Sequence, residues 1–391
     1  MKTKIIYLLF AITITAAIHA QNFASVLQQI EQNSTALKAL RSVSEADKAK
    51  ARIGLAPDNP QVTLNYLWGT PADIGNRFDL EVVQEFDFPT MYYYRKKIAH
   101  GRTTQANLDY AVQRRKVLLR ATELCNNLVY HNALKAEFDR RYNRALEMQQ
   151  AYQRKFDNGE CGVLELNKAK LNLLNARKAN EQNGLEVNLL QDELTCMNGG
   201  IPIAVSDSMF TDILLPVDFD TWYKAYVQQY PEWQSLQNEI ALARYEVQLD
   251  KNQWLPKLSV GYLSERILGT TLQGIGTGFS IPLWQNTGSV RAAKALATAQ
   301  VERQKDLEMQ LRTTMLAQYN RVKQLQVLVS DYRKVLQTIN SSELLQTALD
   351  EGHITLIEYM MELTIYYEAI NNCLSAERDL HQAYLSMQTF D

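Results

Sequence analysis

The chain contains few residues that interrupt helices: nine prolines and 16 glycines among 391 residues. The prolines are grouped near 57–89, 202–231 and 256–282, and the segments between the groups are rich in Ala, Leu, Gln, Glu, Lys and Arg. These residues favour helices, whereas proline removes a backbone donor and breaks them. The scarcity of breakers argues against a fold of many short elements and predicts long helices.

Residues with metal-binding or catalytic chemistry are also few. The four cysteines show no CxxC spacing, and the five histidines form no HExxH pattern. Methionines are scattered, and the sequence has no GxxxxGKS or GxxxxGKT loop for a nucleotide phosphate. Metal and phosphate sites need such spacings because their ligands must converge on one ion or group. We therefore expect no cofactor, no metal site and no enzymatic activity.

Long apolar runs are absent except near the N-terminus, where Ile5 to Ile18 follow Lys2 and Lys4 and precede the small residue Ala20. This pattern predicts a signal peptide over residues 1–20 and an exported protein. No later stretch has the roughly twenty apolar residues of a membrane-spanning helix, so a membrane contact would need a β-barrel or the membrane surface. Without the signal, 39 basic and 43 acidic residues leave a net charge of −4, which argues against a nucleic-acid partner.

Two segments, Thr90–Asp157 and Trp284–Glu351, are each 68 residues long without a breaker. As helices they would each rise about 100 Å. Shorter helical segments over 22–53 and 163–198 together equal about one long segment, and so do 219–252 and 354–388. A dimeric coiled coil is one interpretation of the long segments. The equal sums favour instead a closed bundle or barrel in which two short helices match one long helix.

Four segments near the prolines alternate between apolar and polar residues, as strands with one apolar face do. In the first half, the alternating apolar residues are Val62, Leu64, Tyr66 and Trp68, followed by Phe78, Leu80, Val82, Phe86 and Phe88. In the second half they are Leu258, Val260 and Tyr262, followed by Ile275, Phe279, Ile281 and Leu283. Charged residues occupy the other face of the second segment: Arg77, Asp79, Glu81, Glu85 and Asp87.

The two halves have the same order of elements, which indicates an internal duplication. Pro60 and Pro256 are 196 residues apart, Pro89 and Pro282 are 193 apart, and Gly159 and Gly352 are 193 apart. The sequence predicts a first repeat over 21–198, with strands at about 61–68 and 77–88 and a hairpin tip at about 157–162. A linker over 199–218 leads to a second repeat over 219–391, with strands at about 257–265 and 274–283 and a tip at about 350–354.

The strands suggest a pore shared by several chains. Open sheet edges leave backbone groups unpaired in hydrocarbon, and four strands are too few to close a pore alone. Aromatic residues near the strand ends, such as Trp68, Phe88 and Trp284, are typical of the girdles of outer-membrane barrels. The alternative is a soluble sandwich with one charged face.

Several segments resemble the TolC-like outer-membrane efflux family, the outer-membrane factors of tripartite efflux systems. "SIPLWQNTGSVRAAKALATAQ" is similar to the family's junction of second strand and long helix, and "KFDNGECGVLELNKAK" to its turn. "YPEWQSLQNEIALARYEVQLDKNQWLPKLSVGY" resembles its helix before the first strand. The match covers nearly all of the mature chain. The brief linker and short C-terminal tail differ from larger members and argue against a large collar at mid-height.

The resemblance implies a mainly α-helical homotrimer with a 12-stranded β-barrel in the outer membrane of a Gram-negative bacterium, continued by a periplasmic α-helical barrel. It implies a passive exit duct for small molecules or metal ions, contacting outer-membrane lipid, a periplasmic adaptor and a proton-driven or ATP-driven inner-membrane pump. Type I protein secretion uses a similar conduit and stays open as an alternative, as does a periplasmic coiled-coil scaffold without a pore.

The two turns are the first candidate functional sites. Their acidic residues and glycines, expected at the periplasmic gate, are Asp157, Gly159, Glu160, Asp350, Glu351 and Gly352. In a trimer each acid would form a ring of three carboxylates, which attracts cations. The residues expected to contact the adaptor are Leu164, Glu165, Leu356 and Glu358. Solvated acids at ordinary helix turns are the alternative.

Two further expectations concern the strands and the cysteines. Arg77, Asp79, Glu81, Glu85 and Asp87 are expected to line the barrel lumen, which would favour cationic cargo. Cys125 lies 34 residues before Gly159 and Cys196 lies 37 after it, so both would lie at similar height in an antiparallel hairpin. An exported protein can form a disulfide there if the two side chains also face each other.

Overall fold

The computed structural model describes residues 23–338 and 341–388. The predicted signal peptide over 1–20 lies outside these residues. Within the described ranges, none of the helices combines the length and the apolar character needed to cross a bilayer.

The first half consists of helix α1 over 23–33, α2 Thr35–Lys50, strands β1 Gln61–Leu67 and β2 Arg77–Phe86, the long helix α3 Pro89–Asp157, and α4 Val163–Met197. The second half consists of α5 Phe219–Gln229, α6 Pro231–Asn252, β3 Lys257–Ile267, β4 Thr270–Ser280, α7 Ser289–Thr338, α8 Ser341–Asp350, and α9 Leu356–Leu385. A short 3-10 helix, Ala72–Ile74, precedes β2. This order confirms the predicted fold class with its two-fold repeat of helix, strands, long helix, turn and helix.

The first helical segment of each half differs from the prediction, because each is divided into two helices. The helix ends before Ser34 in the first half and before Tyr230 in the second, and these positions are 196 residues apart. The Ser34 hydroxyl accepts a hydrogen bond from the Leu37 N–H (3.4 Å), and Pro231 is the first residue of α6. A serine cap and an N-terminal proline both favour a new helix start. The offset is the one that separates Pro60 from Pro256.

The long helices also differ between the halves. Helix α3 has 69 residues and therefore rises about 100 Å. Its counterpart begins at Ser289 instead of Trp284, because residues 284–288 form a turn in which the Thr287 N–H donates to the Trp284 carbonyl (3.1 Å). Gly288 follows with a φ of +87°, which favours glycine. Residues 339–340, between α7 and α8, lie outside the described residues.

The four strands form one antiparallel sheet in the order β1-β2-β3-β4. Val82 lies opposite Val62 on one side and Tyr262 on the other, and Tyr262 lies opposite Ile275. Directly paired residues project from the same face of a sheet. The apolar rows predicted separately for the four strands therefore lie on one face.

The hairpin between β3 and β4 is tighter than predicted. Strand β4 begins at Thr270, four residues before the predicted start, and only Leu268 and Gly269 join it to β3. Both have positive φ, 48° and 83°, as a two-residue type I′ turn requires. Leucine is rare at such a position, so the sequence gave no turn signal there.

The chain divides into two compact units: residues up to Ala39 with Arg114–Tyr226 and Arg312 onward, and Leu40–Gln113 with Val227–Leu311. In the first unit, α1, α3 and α4 bury Ile30, Leu124, Leu128 and Leu194 completely. Residues 201–218 contain no helix or strand, but Val205 packs into the same cluster.

The cysteines do not form the expected bond. All four, Cys125, Cys161, Cys196 and Cys373, are free. Cys125 is fully buried in the apolar cluster, and this burial raises the pKa of its thiol to about 12, whereas Cys196 is exposed on α4. The disulfide expected between Cys125 and Cys196 is therefore absent, because equal height on two helices does not make their side chains face each other.

The two turns have the same backbone hydrogen bonds. The Gly159 N–H donates to the Phe156 carbonyl and the Glu160 N–H to the Lys155 carbonyl. At the second turn, Gly352 donates to Leu349 and His353 to Ala348. This pair of bonds is the Schellman motif, which ends a helix with a left-handed residue. Gly159 and Gly352 supply that residue, with φ of +75° and +76°.

Alanine in place of Gly159 or Gly352 should weaken its turn by about 1–2 kcal/mol, because a side chain is disfavoured in the left-handed conformation. A Cβ atom at either position would contact nothing within 4 Å, so the effect is confined to the backbone. Hydrogen exchange of the Glu160 and His353 amides measures the local loss.

Gly184→Ala is the matched control, because Gly184 lies inside α4, is also free of contacts within 4 Å and has no positive φ. That change should stabilise the helix by about 0.5–1 kcal/mol. Equal exchange rates in the wild type and the turn variants would contradict the assigned role of the two glycines.

Candidate functional site at the two acidic turns

The four acidic residues of the turns are exposed and bound only to neighbours in their own turn. Asp157 accepts a hydrogen bond from Gln153 (2.9 Å) and Glu160 from Asn158 (3.1 Å). In the second turn, Asp350 accepts from Gln346 (3.1 Å), and His353 lies 3.2 Å from Glu351. These carboxylates therefore present their charge to solvent.

The two glutamates expected to contact an adaptor have a role inside the turns. The Glu165 carboxylate accepts from the Gly162 N–H (2.9 Å), and the Glu358 carboxylate accepts from the Thr355 N–H (2.8 Å). The Thr355 hydroxyl in turn accepts from the Glu358 N–H (3.3 Å), which completes a capping box. Each glutamate thus caps the helix that follows its turn. The sequence held a signal for this role, because Thr355 and Glu358 have capping-box spacing.

The two leucines beyond the turns lie in different environments. Leu164 is 70 % exposed, whereas Leu356 is 4 % exposed. Leu356 belongs to an apolar cluster with Tyr152, Leu166 and Tyr359 that joins the first hairpin to the second. Leu164 is thus free to meet another protein, and Leu356 is occupied in packing.

A polar network near the turns was not predicted from the sequence. The Arg141 guanidinium stacks 4.2 Å from the centre of the Tyr367 ring and donates to Asn371 (3.0 Å). Arg144 donates to the Tyr367 hydroxyl (2.9 Å). The network links α3 of the first hairpin to α9 of the second. No short motif could reveal it, because its members are more than 220 positions apart.

The charged face of the sheet contains a pair that includes a residue missed in the sequence. Arg77 lies 2.7 Å from Asp79 and 3.2 Å from Glu265, which is opposite Asp79 on β3. Glu81 and Glu85 project from the same face. Pairing of Asp79 with Glu265 follows from the register, which the sequence did not specify.

Asp87 differs from the other predicted lumen residues. It lies beyond the end of β2, is only 7 % exposed, and has an ion pair with Arg95 (2.7 Å). Its backbone N–H donates to the Tyr92 hydroxyl (3.0 Å). Asp87 therefore joins the end of the strand to the first turns of α3 and does not project with Arg77 and Asp79.

Among the described residues, no group of three or more His, Cys, Asp or Glu side chains is arranged to hold a metal ion. The chemistry of the turns is thus that of exposed charge next to an apolar contact.

The capping of α9 should depend on pH. Hydrogen bonds from the Thr355 backbone and side chain lower the pKa of Glu358 from its ordinary value of 4.5. A lowered folded-state pKa stabilises the protein above the ordinary value, and this contribution is lost as the pH falls through the folded-state value. The thermal midpoint of Glu358→Gln should therefore be below that of the wild type near neutral pH, and the difference should shrink below about pH 4.5.

Glu362→Gln is the control, because Glu362 is exposed on the same helix and is not part of a cap. It should leave the pH profile of the wild type unchanged. A difference between Glu358→Gln and the wild type that is constant over pH would contradict the cap.

Comparison with known proteins gives relatives of one kind. No protein-family model matches the chain. The alkaline protease secretion protein AprF of Pseudomonas aeruginosa is 24% identical over 333 residues, covering 78% of this chain and 67% of AprF.

Solved structures agree over a larger part of the chain. The Campylobacter jejuni outer membrane channel CmeC has a TM-score of 0.76 at 16% identity and covers 94% of this chain and 84% of its own. CusC, solved in a study of folding and transmembrane channel formation, has a TM-score of 0.79 at 12% identity and covers 94% of this chain and 91% of its own. Such identities establish a shared fold, and the resemblance seen in the sequence is confirmed at that level. The chain has the fold of the TolC-like outer-membrane channels.

Proposed function

We propose that three copies of this chain form an outer-membrane channel, which serves as the passive exit duct of a tripartite efflux pump. The sheet carries this proposal. Its apolar face is uncovered in the described chain: Val62, Leu64, Ile275 and Phe279 are 60 to 80 % exposed. Water is a poor solvent for so continuous an apolar surface, whereas hydrocarbon is a good one.

The edges of the sheet call for further copies. Strands β1 and β4 each pair on one side only within the described chain. An edge strand in a membrane needs a partner because no water is present to bond its backbone groups. Three sheets joined edge to edge would give twelve strands and leave no edge.

The opposite face of each sheet would then line the lumen. It contains Glu81, Glu85 and the group of Arg77, Asp79 and Glu265. Small residues such as Gly276 and Gly278 occupy the same face on β4, which keeps the interior open. A lumen with more acidic than basic groups would favour cationic cargo.

The helices would form a tunnel in the periplasm, with the two turns at its entrance. There the exposed Asp350 and Glu351 of three copies would form rings of carboxylates that attract cations and repel one another. The second turn is the proposed gate, and its movement would have to break the contacts of Arg141 and Arg144 with Tyr367. Asp157 and Glu160 would form a similar ring at the first turn.

Leu164 at the first turn is the proposed contact of a periplasmic adaptor, because it is exposed where its counterpart Leu356 is buried. The adaptor would connect the channel to a proton-driven or ATP-driven inner-membrane pump. The name of the relative AprF, a protease secretion protein, favours type I protein secretion as a second candidate function. The neighbouring genes separate the two: an exporter beside a secreted protein indicates secretion, and a proton-driven pump indicates efflux.

Purified protein in a planar bilayer should give single-channel currents with a preference for cations. Replacing both Asp350 and Glu351 by alanine should lower that preference, because six carboxylates would leave the entrance of a trimer. The selectivity is obtained from the reversal potential in a salt gradient.

The paired change of Asp157 and Glu160 to alanine is the comparison, and it should alter the selectivity less if the second turn is the narrower ring. An equal or larger effect of the first turn would move the gate there. Absence of current from the wild type would overturn the channel and favour the periplasmic scaffold.

A further inference from the structure

A cleft lies between the α3–α4 hairpin and α9, next to the network of Tyr367. Its volume is about 650 Å³, counted with its open mouth. This size is within the range of sites for small organic molecules. We define the cleft by Arg141, Arg144, Ala176, Met360 and Tyr367, which line it together with other apolar residues.

The two arginines of the cleft have no acidic partner among the described residues. Other arginines of this hairpin have one: Arg120 lies 2.7 Å from Glu193, Arg140 is 2.7 Å from Glu137, and Arg177 is 2.7 Å from Glu181. Arg141 and Arg144 instead bind neutral groups, namely Asn371 and the Tyr367 hydroxyl. The cleft therefore contains two positive charges without a counter-charge from the described chain.

Arg141 is also partly cut off from water. Its Nε atom is buried and has no acceptor in the described structure. Burial lowers the pKa of its guanidinium, since the charged form loses hydration. A buried donor without an acceptor is costly, and an anion offers acceptors to two guanidinium groups at once.

The rest of the cleft is apolar. Met148, Met360 and Leu363 contribute flexible or branched hydrocarbon, and Ala145, Ala176 and Ala179 leave room because their side chains are short. Methionine adapts to the shape of a ligand. The aromatic rings of Phe138 and Tyr367 complete the lining.

We propose that this cleft binds a small amphiphilic organic anion, whose carboxylate, sulfonate or phosphate group lies between Arg141 and Arg144 and whose apolar part lies against the methionines and alanines. Inorganic anions lack the apolar part and would bind weakly. The site goes beyond the proposed channel function and does not depend on it, because binding is measured without current.

The test uses naphthoate, a compact aromatic carboxylate, with the purified full-length protein in detergent and a detergent blank. Titration calorimetry should show saturable binding of naphthoate and much weaker binding of neutral naphthylmethanol and of inorganic phosphate. Arg141→Gln and Arg144→Gln should each raise the dissociation constant about tenfold or more, because each removes a charge-assisted hydrogen bond.

Arg140→Gln is the matched control, because Arg140 neighbours Arg141 but is 72 % exposed in an ion pair with Glu137. It should bind naphthoate like the wild type. Ala176→Phe keeps both arginines and fills the apolar part from a half-buried position on α4, so it should also weaken binding about tenfold or more.

Four results would overturn the proposal. Naphthylmethanol binding as tightly as naphthoate would show that charge is not recognised, and equal affinities of Arg140→Gln and Arg141→Gln would show that the arginines are not involved. Unchanged binding by Ala176→Phe would place the ligand elsewhere. A wild type that binds no naphthoate would indicate that the cleft is closed in the assembled protein, for example by a carboxylate of a second copy.

Discussion

Each amide and carbonyl group of a β-strand needs a hydrogen-bond partner, and the outer sides of β1 and β4 have none within the described chain. The same sheet has an apolar face that is largely exposed. Both deficiencies have one solution, in which copies of the sheet join at their edges and the apolar face contacts lipid. The lengths of the helices and the charge on the other face then acquire a function, because a closed sheet needs a lumen and a passage leading to it.

The internal duplication repeats structure more closely than it repeats surface. The two turns share their Schellman hydrogen bonds, their left-handed glycines and the capping glutamates Glu165 and Glu358, which are 193 residues apart. The cap of the second turn is stronger, because Thr355 supplies the hydroxyl that Gly162 lacks. The first turn leaves Leu164 exposed, whereas the second buries Leu356 between the hairpins. A duplicated scaffold has thus given one turn to packing and the other to a free surface.

The sequence allowed prediction of features that depend on local pattern. The period-two alternation located the strands, since the apolar face of each must be continuous, and the spacing of Gly159 and Gly352 located the turns. Features that depend on side-chain direction were less accessible. Equal height on two helices suggested a bond between Cys125 and Cys196, but Cys125 points into the core. Asp87 continued the charged alternation of β2, yet the strand ends before it and Arg95 binds its carboxylate. The network of Arg141 and Tyr367 joins distant helices, so no local pattern encodes it.

Hydrogen exchange of the edge strands tests the central claim most directly. In the purified protein in detergent, the amides of β1 and β4 that do not bond to β2 and β3 should exchange as slowly as the amides inside the sheet, because a neighbouring copy accepts their hydrogen bonds. Fast exchange of those edge amides beside a protected interior of the sheet would show that the edges are open and would contradict a closed channel of several copies.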